Sequence, residues 1–134
     1  MTAIKDIEGI GSLFTKKLQA MGVSTVEALL EKGATKKGRE DVAKAAGIDE
    51  HKILEWVNRA DLYRIKGIGS EYSDLLEAAG VDTVVELSKR RADNLTEKMV
   101  EVNVTKKLVR RVPTQQMVED WITEAKSLPR IVSY

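Results

Sequence analysis

Two short stretches carry the residue types and spacing with most scope for chemistry: Gly9-Ile10-Gly11-Ser12 and Gly67-Ile68-Gly69-Ser70. In each, two glycines bracket an isoleucine, so the chain can turn sharply and bring bare backbone N–H groups to the surface while Ile10 or Ile68 anchors the turn in the core. Such amides, with the positive end of a following helix, can hold a phosphate oxygen. The plainer reading is that each turn is only the structural corner of a helical repeat. A second group, Lys106, Lys107, Arg110 and Arg111, falls at i and i+4 spacing and is expected to form one basic helix edge, with Lys89, Arg90 and Arg91 nearby. An edge of this kind either meets an anionic partner or is a solvated face paired with Glu97 and Glu101.

Other reactive patterns are incomplete. Gly33 to Arg39 has the glycine spacing of a phosphate loop, but Arg39-Glu40 stands where Lys-Ser/Thr is required and no strand precedes it, so it reads as a basic helix start. The single histidine, His51, lies in a first helical turn with no thiol or triad partner in reach of the pattern, which argues against a metal or acid–base role. Ser70 follows Gly-Ile-Gly, but Tyr72 occupies the last glycine of a nucleophile elbow. Asp49 and Glu50 are explained by the helix dipole. The chain contains no cysteine, which excludes disulfides, thiolate zinc and a cysteine nucleophile. No enzyme, metal, cofactor or small-molecule substrate is expected.

Helices must position these groups. Hydrophobic residues make up 43% of the 134 residues and aromatics only 4%, so the core is built from Leu, Ile, Val and Ala, which favours helices over a sandwich or barrel. The two prolines, Pro113 and Pro129, both lie late. The patterning predicts a helix started by Ser12, with Phe14, Leu18 and Met21 as its apolar stripe and Gly22 as its stop. A capping box of Ser24 and Glu27 opens a short second helix to Lys32, Thr35 caps a third over Lys36 to Ala46, and Asp49 caps a fourth with Ile53, Trp56, Val57 and Ala60 inward.

The second half replays this order at an offset of 58, from Ser70 through Leu76 and Gly80 to a helix capped by Asp82 or Thr83. A third helix is expected from Asn94 to about Val102, extended or followed by a turn over Lys106 to Val112. Thr114 then caps a last helix in which Val118, Trp121, Ile122 and Ala125 repeat the earlier stripe at an offset of 65, after a seven-residue insertion. Both tryptophans read as core pins. The apolar tail, Leu128 to Tyr134, is expected to dock back on the domain.

These strings resemble known proteins. Ile-x-Gly-Ile-Gly-Ser, a helix, then Ala-x-Gly-Val-x-Thr-Val is similar to the helix-hairpin-helix motif of DNA repair and replication proteins. The wider layout, with Leu54 to Leu62 and the ending Leu128-Pro129-Arg130, resembles the bacterial family called domain of unknown function 4332. The resemblance implies an all-α fold of two pseudo-symmetric helix-hairpin-helix-containing repeats, a SAM-like helical bundle packed as one compact unit, with repeats at 1–60 and 61–134. It also implies DNA-backbone contacts at Gly9, Gly11 and Ser12 and at Gly67, Gly69 and Ser70, supported by Lys16, Lys17 and Lys66. Some family members bind a monovalent cation at the hairpin carbonyls.

The charge pattern departs from that family. DNA-binding hairpins commonly carry Lys or Arg at the start of the second helix, where this chain has Leu13 and Phe14 in one copy and Glu71, Asp74 and Glu77 in the other. Carboxylates there oppose a polyanion. Lys plus Arg total 22 against 21 Asp plus Glu, a net +1, unlike a dedicated nucleic-acid protein. The longest uncharged run, Leu18 to Val26, is nine residues, far short of a bilayer span, and the N-terminus does not resemble a signal peptide. A soluble, cytoplasmic, non-catalytic module is expected, with weak sequence-independent affinity for DNA backbone through the first hairpin and the basic edge. The alternative is a protein-interaction or scaffold module that does not bind nucleic acid. No membrane association is expected.

Overall fold

The computed structural model describes residues 3–7 and 9–134, and apart from one isolated bridge between Ala3 and Thr25 these are helical or irregular. The chain forms two compact units, Met1–Asp61 with Ile131–Tyr134, and Leu62–Arg130.

In the first unit a 3-10 turn, Ile4–Asp6, precedes α1 (Gly11–Gln19), α2 (Val26–Gly33), α3 (Lys36–Ala46) and α4 (Glu50–Leu62), whose last residue opens the second unit. The stripe Ile53, Trp56, Val57 and Ala60 is buried, as its i, i+3, i+4, i+7 spacing predicts. Thr35 caps α3 by accepting the Gly38 N–H at 3.0 Å, and Asp49 accepts the His51 N–H at 2.8 Å. The cap of α2 is Thr25 rather than Ser24: the helix begins at Val26, so Thr25 is the extended residue ahead of it, and its hydroxyl accepts the Ala28 N–H at 3.1 Å.

The stretch that resembles a phosphate loop is a packing device. A Cβ at Gly33 would stand 2.3 Å from a methyl of Val57, and one at Gly38 would stand 2.2 Å from the Lys32 carbonyl, so both glycines are set by close approach. Arg39 is not part of a basic helix start facing water; it is 2% exposed. Its guanidinium donates to the Gly33 carbonyl at 2.8 Å, the Ala34 carbonyl at 3.2 Å and the Ser133 carbonyl at 2.7 Å. Burial of this charge is tolerated because carbonyl oxygens replace its water. The tail residues 131–134 thereby become part of the first unit, with Val132 buried and the Ser133 N–H donating to the Ala34 carbonyl at 2.8 Å.

The second unit contains α5 (Ser70–Ala78), α6 (Val84–Ser88), α7 (Ala92–Lys106) and α8 (Gln115–Ser127) around a core that includes Leu75, Leu76, Leu87, Leu95, Met99 and Trp121. Thr83 caps α6, accepting the Glu86 N–H, while the Glu86 carboxylate accepts the Asp82 N–H. Thr114 caps α8 through the Met117 N–H. The third helix of this half runs longer than its pattern suggests, starting at Ala92 and closing at Lys107 in a left-handed conformation, φ 50°. Beyond it the chain is not helical. Asn103 prevents continuation by holding Val109 at both ends, its side-chain oxygen accepting the Val109 N–H at 3.0 Å and its amide donating to the Val109 carbonyl at 3.1 Å.

No helix among the described residues is long and apolar enough to cross a membrane.

Candidate nucleic-acid interface

Each Gly-Ile-Gly turn is built on hydrogen bonds that recur at an offset of 58. The Ile7 N–H donates to the Ile4 carbonyl and the Ile10 N–H to Ile7; correspondingly Ile65 donates to Leu62 and Ile68 to Ile65. Ile10 and Ile68 are buried, as anchors must be. Gly9 and Gly67 have φ of 91° and 92°, a backbone that side chains rarely adopt, so glycine is required at both turns. Under each lies an indole: a Cβ at Gly9 would be 3.8 Å from the Trp56 Nε1, and one at Gly67 would be 3.3 Å from the Trp121 Nε1. Trp56 in turn meets Phe14, ring centroids 5.3 Å apart and tilted by 51°, and Trp121 meets Tyr72 at 5.2 Å and 55°. The tryptophans are 3% and 4% exposed and hold the turns from beneath.

The second glycines differ. Gly11 is left-handed, φ 69°, and is the first residue of α1; Gly69 is extended, φ −117° and ψ −157°, and precedes α5. Neither serine is a cap. Ser12 lies inside the first turn of α1 and Ser70 is the first residue of α5, and the residue ahead of each helix makes no side-chain cap. The position ahead of each helix is taken by Ile10 or Gly69, which have no side-chain acceptor to offer. At the start of α1 the leading N–H groups have no intrahelical carbonyl to donate to, and Ile10 ahead of them supplies no capping side chain.

Charge separates the two turns. Ser12 and Lys16 are exposed and Lys17 is half-buried, its ammonium 5.7 Å from the Phe14 ring centroid. Lys52, in the first turn of α4, places its ammonium 5.7 Å from the same centroid. The sequence pattern alone passed over Lys52; its signal was its place one turn ahead of Trp56 on the helix that carries the indole. The first turn of α1 contains no acid. In the second turn the backbone N–H of Lys66 donates to the Glu124 carboxylate at 3.1 Å, and Glu71 stands in the first turn of α5. By sequence offset, Lys66 and Glu124 correspond to Glu8 and Arg59, a reversal of both charges. Glu8 lies outside the described residues.

Lys106, Lys107, Arg110 and Arg111 do not form one helix edge. Only Lys106 is helical; Lys107, Arg110 and Arg111 lie on the irregular segment that Asn103 redirects, so i, i+4 spacing no longer aligns them. All four are exposed, and among the described residues Glu97 and Glu101 form no ion pair with them. The segment is held instead through its backbone, the Arg111 carbonyl accepting the Tyr72 hydroxyl at 3.1 Å. Lys89 to Arg91 are on a different part of the second unit, at the start of α7. There Arg91 binds Asp93 at 3.1 Å and, with the Asn94 N–H, holds that carboxyl below the usual carboxylate range. His51 is exposed beside Glu55, Nε2 to Oε1 3.5 Å.

No curated protein and no solved structure matches the chain. A family model does match, over residues 8–128, which takes in both Gly-Ile-Gly turns, both tryptophans and every helix: the chain belongs to the family described as Domain of unknown function (DUF4332).

Proposed function

We propose that the protein is a non-catalytic binding module made of two helix-hairpin-helix repeats, and that its first hairpin binds the DNA backbone weakly and without regard to base sequence. What supports this reading is the start of α1: Ile10 ahead of it supplies no side-chain cap for its leading amides, no acid stands in its first turn, Lys16 and Lys17 lie further along the same helix, and Lys17 and Lys52 place their ammoniums beside Phe14. A phosphate oxygen satisfies such amides and gains from the lysines. The second hairpin is assigned a structural role, because its Lys66 amide already serves Glu124. Lys106, Lys107, Arg110 and Arg111 add a diffuse positive field from an exposed segment rather than an ordered edge.

A second reading, docking of a protein on the same turn, draws support from Leu13, which is 63% exposed within the first turn of α1. Fluorescence anisotropy on a duplex oligonucleotide separates the two. DNA binding is expected with dissociation constants of order 10⁻⁴ to 10⁻⁶ M at physiological salt, falling steeply as salt rises. Lys16→Glu/Lys17→Glu should weaken it about tenfold or more, and Lys107→Glu/Arg111→Glu by less. Absence of binding at ~50 mM salt, or binding indifferent to both charge reversals, would remove DNA from the account.

A further inference from the structure

The third helix of each unit closes on a left-handed residue whose N–H donates to a carbonyl four positions back, Gly47 to Ala43 in α3 and Lys107 to Asn103 in α7. In the register set by these two closures the inward residues agree: Arg39 and Val42 correspond to Met99 and Val102, and each turns toward the core of its own unit. The outward residues do not agree. Lys37, Glu40 and Lys44 of α3 are charged and exposed, and Lys37 is paired with Asp41 at 3.6 Å. Their counterparts on α7 are Glu97, Val100 and Val104, all exposed, Val104 by 72%. Core packing does not call for these valines, because Leu95, Met99 and Val102 supply the inner side of α7. Single exposed apolar residues are ordinary, but these two belong to an ordered row. Glu97, Val100, Val104 and Lys107 follow one another at spacings of three, four and three, the repeat that keeps one helical seam against a partner helix. The spacing reads the same in both directions, and the charge changes sign from one end to the other.

We propose that this face of α7 pairs with the same face of a second copy of the chain, antiparallel about a two-fold axis midway between Val100 and Val104. A two-fold contact sets one patch against itself, so the patch must be complementary to its own reversal. Here Val100 of one copy meets Val104 of the other, and Glu97 meets Lys107, each pair occurring twice. Among the described residues Glu97 and Lys107 make no ion pair within the chain, so both are available across the axis. Arg110 and Arg111, exposed beyond the end of α7, add positive charge at the end that meets Glu97. A parallel pair would oppose Glu97 to Glu97 and Lys107 to Lys107, which like-charge repulsion disfavours. Nucleic acid is a poorer occupant of this face, because Glu97 and Glu101 both stand on it. The 15 residues of α7 span only ~22 Å, so the contact is small and the dimer weak, with a dissociation constant between about 1 µM and 1 mM.

Sedimentation equilibrium on the full chain, at concentrations up to about 1 mM, should show a reversible monomer–dimer equilibrium. Val104→Lys, which installs the residue type that α3 carries at the matching place, should weaken association about tenfold or more while leaving thermal unfolding unchanged, since the position is exposed. Glu97→Lys and Lys107→Glu should each weaken it severalfold by placing like charges across the axis, and Glu97→Lys/Lys107→Glu should regain it. Net charge alone does not produce that pattern, because the two single changes shift it in opposite directions. Lys16→Glu/Lys17→Glu, which tests the DNA reading, should leave association unchanged, so either reading can fail without the other. The proposal is overturned by a chain that stays monomeric at about 1 mM, by a dimer indifferent to Val104→Lys, or by a double charge reversal that does not regain association. A monomer whose amides at residues 97–107 shift on addition of a duplex oligonucleotide would also overturn it, in favour of a nucleic-acid site.

Discussion

The two Gly-Ile-Gly turns share their hidden side and differ on their open side. Beneath, each has a glycine near φ 90°, an indole nitrogen and a tilted aromatic pair. Above, Phe14 is flanked by two lysine ammoniums and no acid stands in the first turn of α1, whereas Tyr72 spends its hydroxyl on the Arg111 carbonyl, Glu71 stands in the first turn of α5 and Glu124 occupies the Lys66 amide. Packing constrains the first set, since a tryptophan under a turn cannot be exchanged without leaving a hole. Nothing comparable constrains the second set, so the open sides differ while the corners match. A Gly-Ile-Gly motif therefore reports a corner, and the residues around it report whether that corner can hold an anion.

The most damaging way to probe the comparison is to remove its common support. Trp56→Ala and Trp121→Ala should each cost ~3–5 kcal/mol of unfolding free energy, read by denaturant titration. Nearly equal losses are expected because burial and ring geometry match. A loss at Trp56 well under half of that at Trp121 would break the likeness, since it would mean that one turn does not rest on its indole.

A smaller change distinguishes the turns by fit. Gly9→Ala and Gly67→Ala both force a side chain into positive φ, at a cost of ~1–2 kcal/mol. The Gly67 variant carries an added contact, since its Cβ would stand 3.3 Å from the Trp121 Nε1 against 3.8 Å at the other turn. Gly67→Ala should therefore be the less stable of the two. The reverse order in thermal unfolding would show that the indole under Gly67 yields and the one under Gly9 does not.

The hidden side was legible in the sequence, because glycine spacing, helical periodicity and Thr caps are local signals: the stripes of α4 and α8 and the caps Thr35, Thr83 and Thr114 are where their patterns put them. The open side was legible only in part. Glu124 reaches Lys66 across 58 residues, and no local pattern carries that contact. The end of α7 was missed because Lys106 to Arg111 keeps helical charge spacing, while Asn103 decides the matter by holding Val109. Arg39 was read as surface because arginine usually is. Yet position 39 continues the inward stripe of Val42, Ala43 and Ala46, and a charge on that stripe was the signal that a buried acceptor set awaited it.

Removing the acid that divides the turns sharpens the comparison. Glu124→Gln keeps an oxygen that can accept the Lys66 N–H and deletes a charge; Glu124→Ala frees the amide as well. If the second turn is silent because of this carboxylate, DNA affinity should rise severalfold in both, more in Glu124→Ala, with a steeper dependence on salt. Unchanged affinity would place the cause in Glu71, Asp74 and Glu77 or in the extended Gly69.

The smallest expected effect concerns how the third helix of each unit stops. Gly47 closes α3 at φ 68°, and Lys107 closes α7 at φ 50°, each donating its N–H to a carbonyl four residues back. A lysine in this region carries a strain of ~1 kcal/mol that glycine avoids, but glycine gives up ~0.5–1 kcal/mol through the greater freedom of its unfolded chain. Lys107→Gly should thus stabilise by only about 0.5 kcal/mol or less. Gly47→Lys should destabilise by a similar amount, since a Cβ there meets nothing within 4 Å. A large loss in Lys107→Gly would mean that the lysine side chain, and not the left-handed turn, holds the exposed basic segment in place. In that case the segment would be an ordered surface after all, and Lys107→Glu/Arg111→Glu would be expected to cost more DNA affinity than Lys16→Glu/Lys17→Glu.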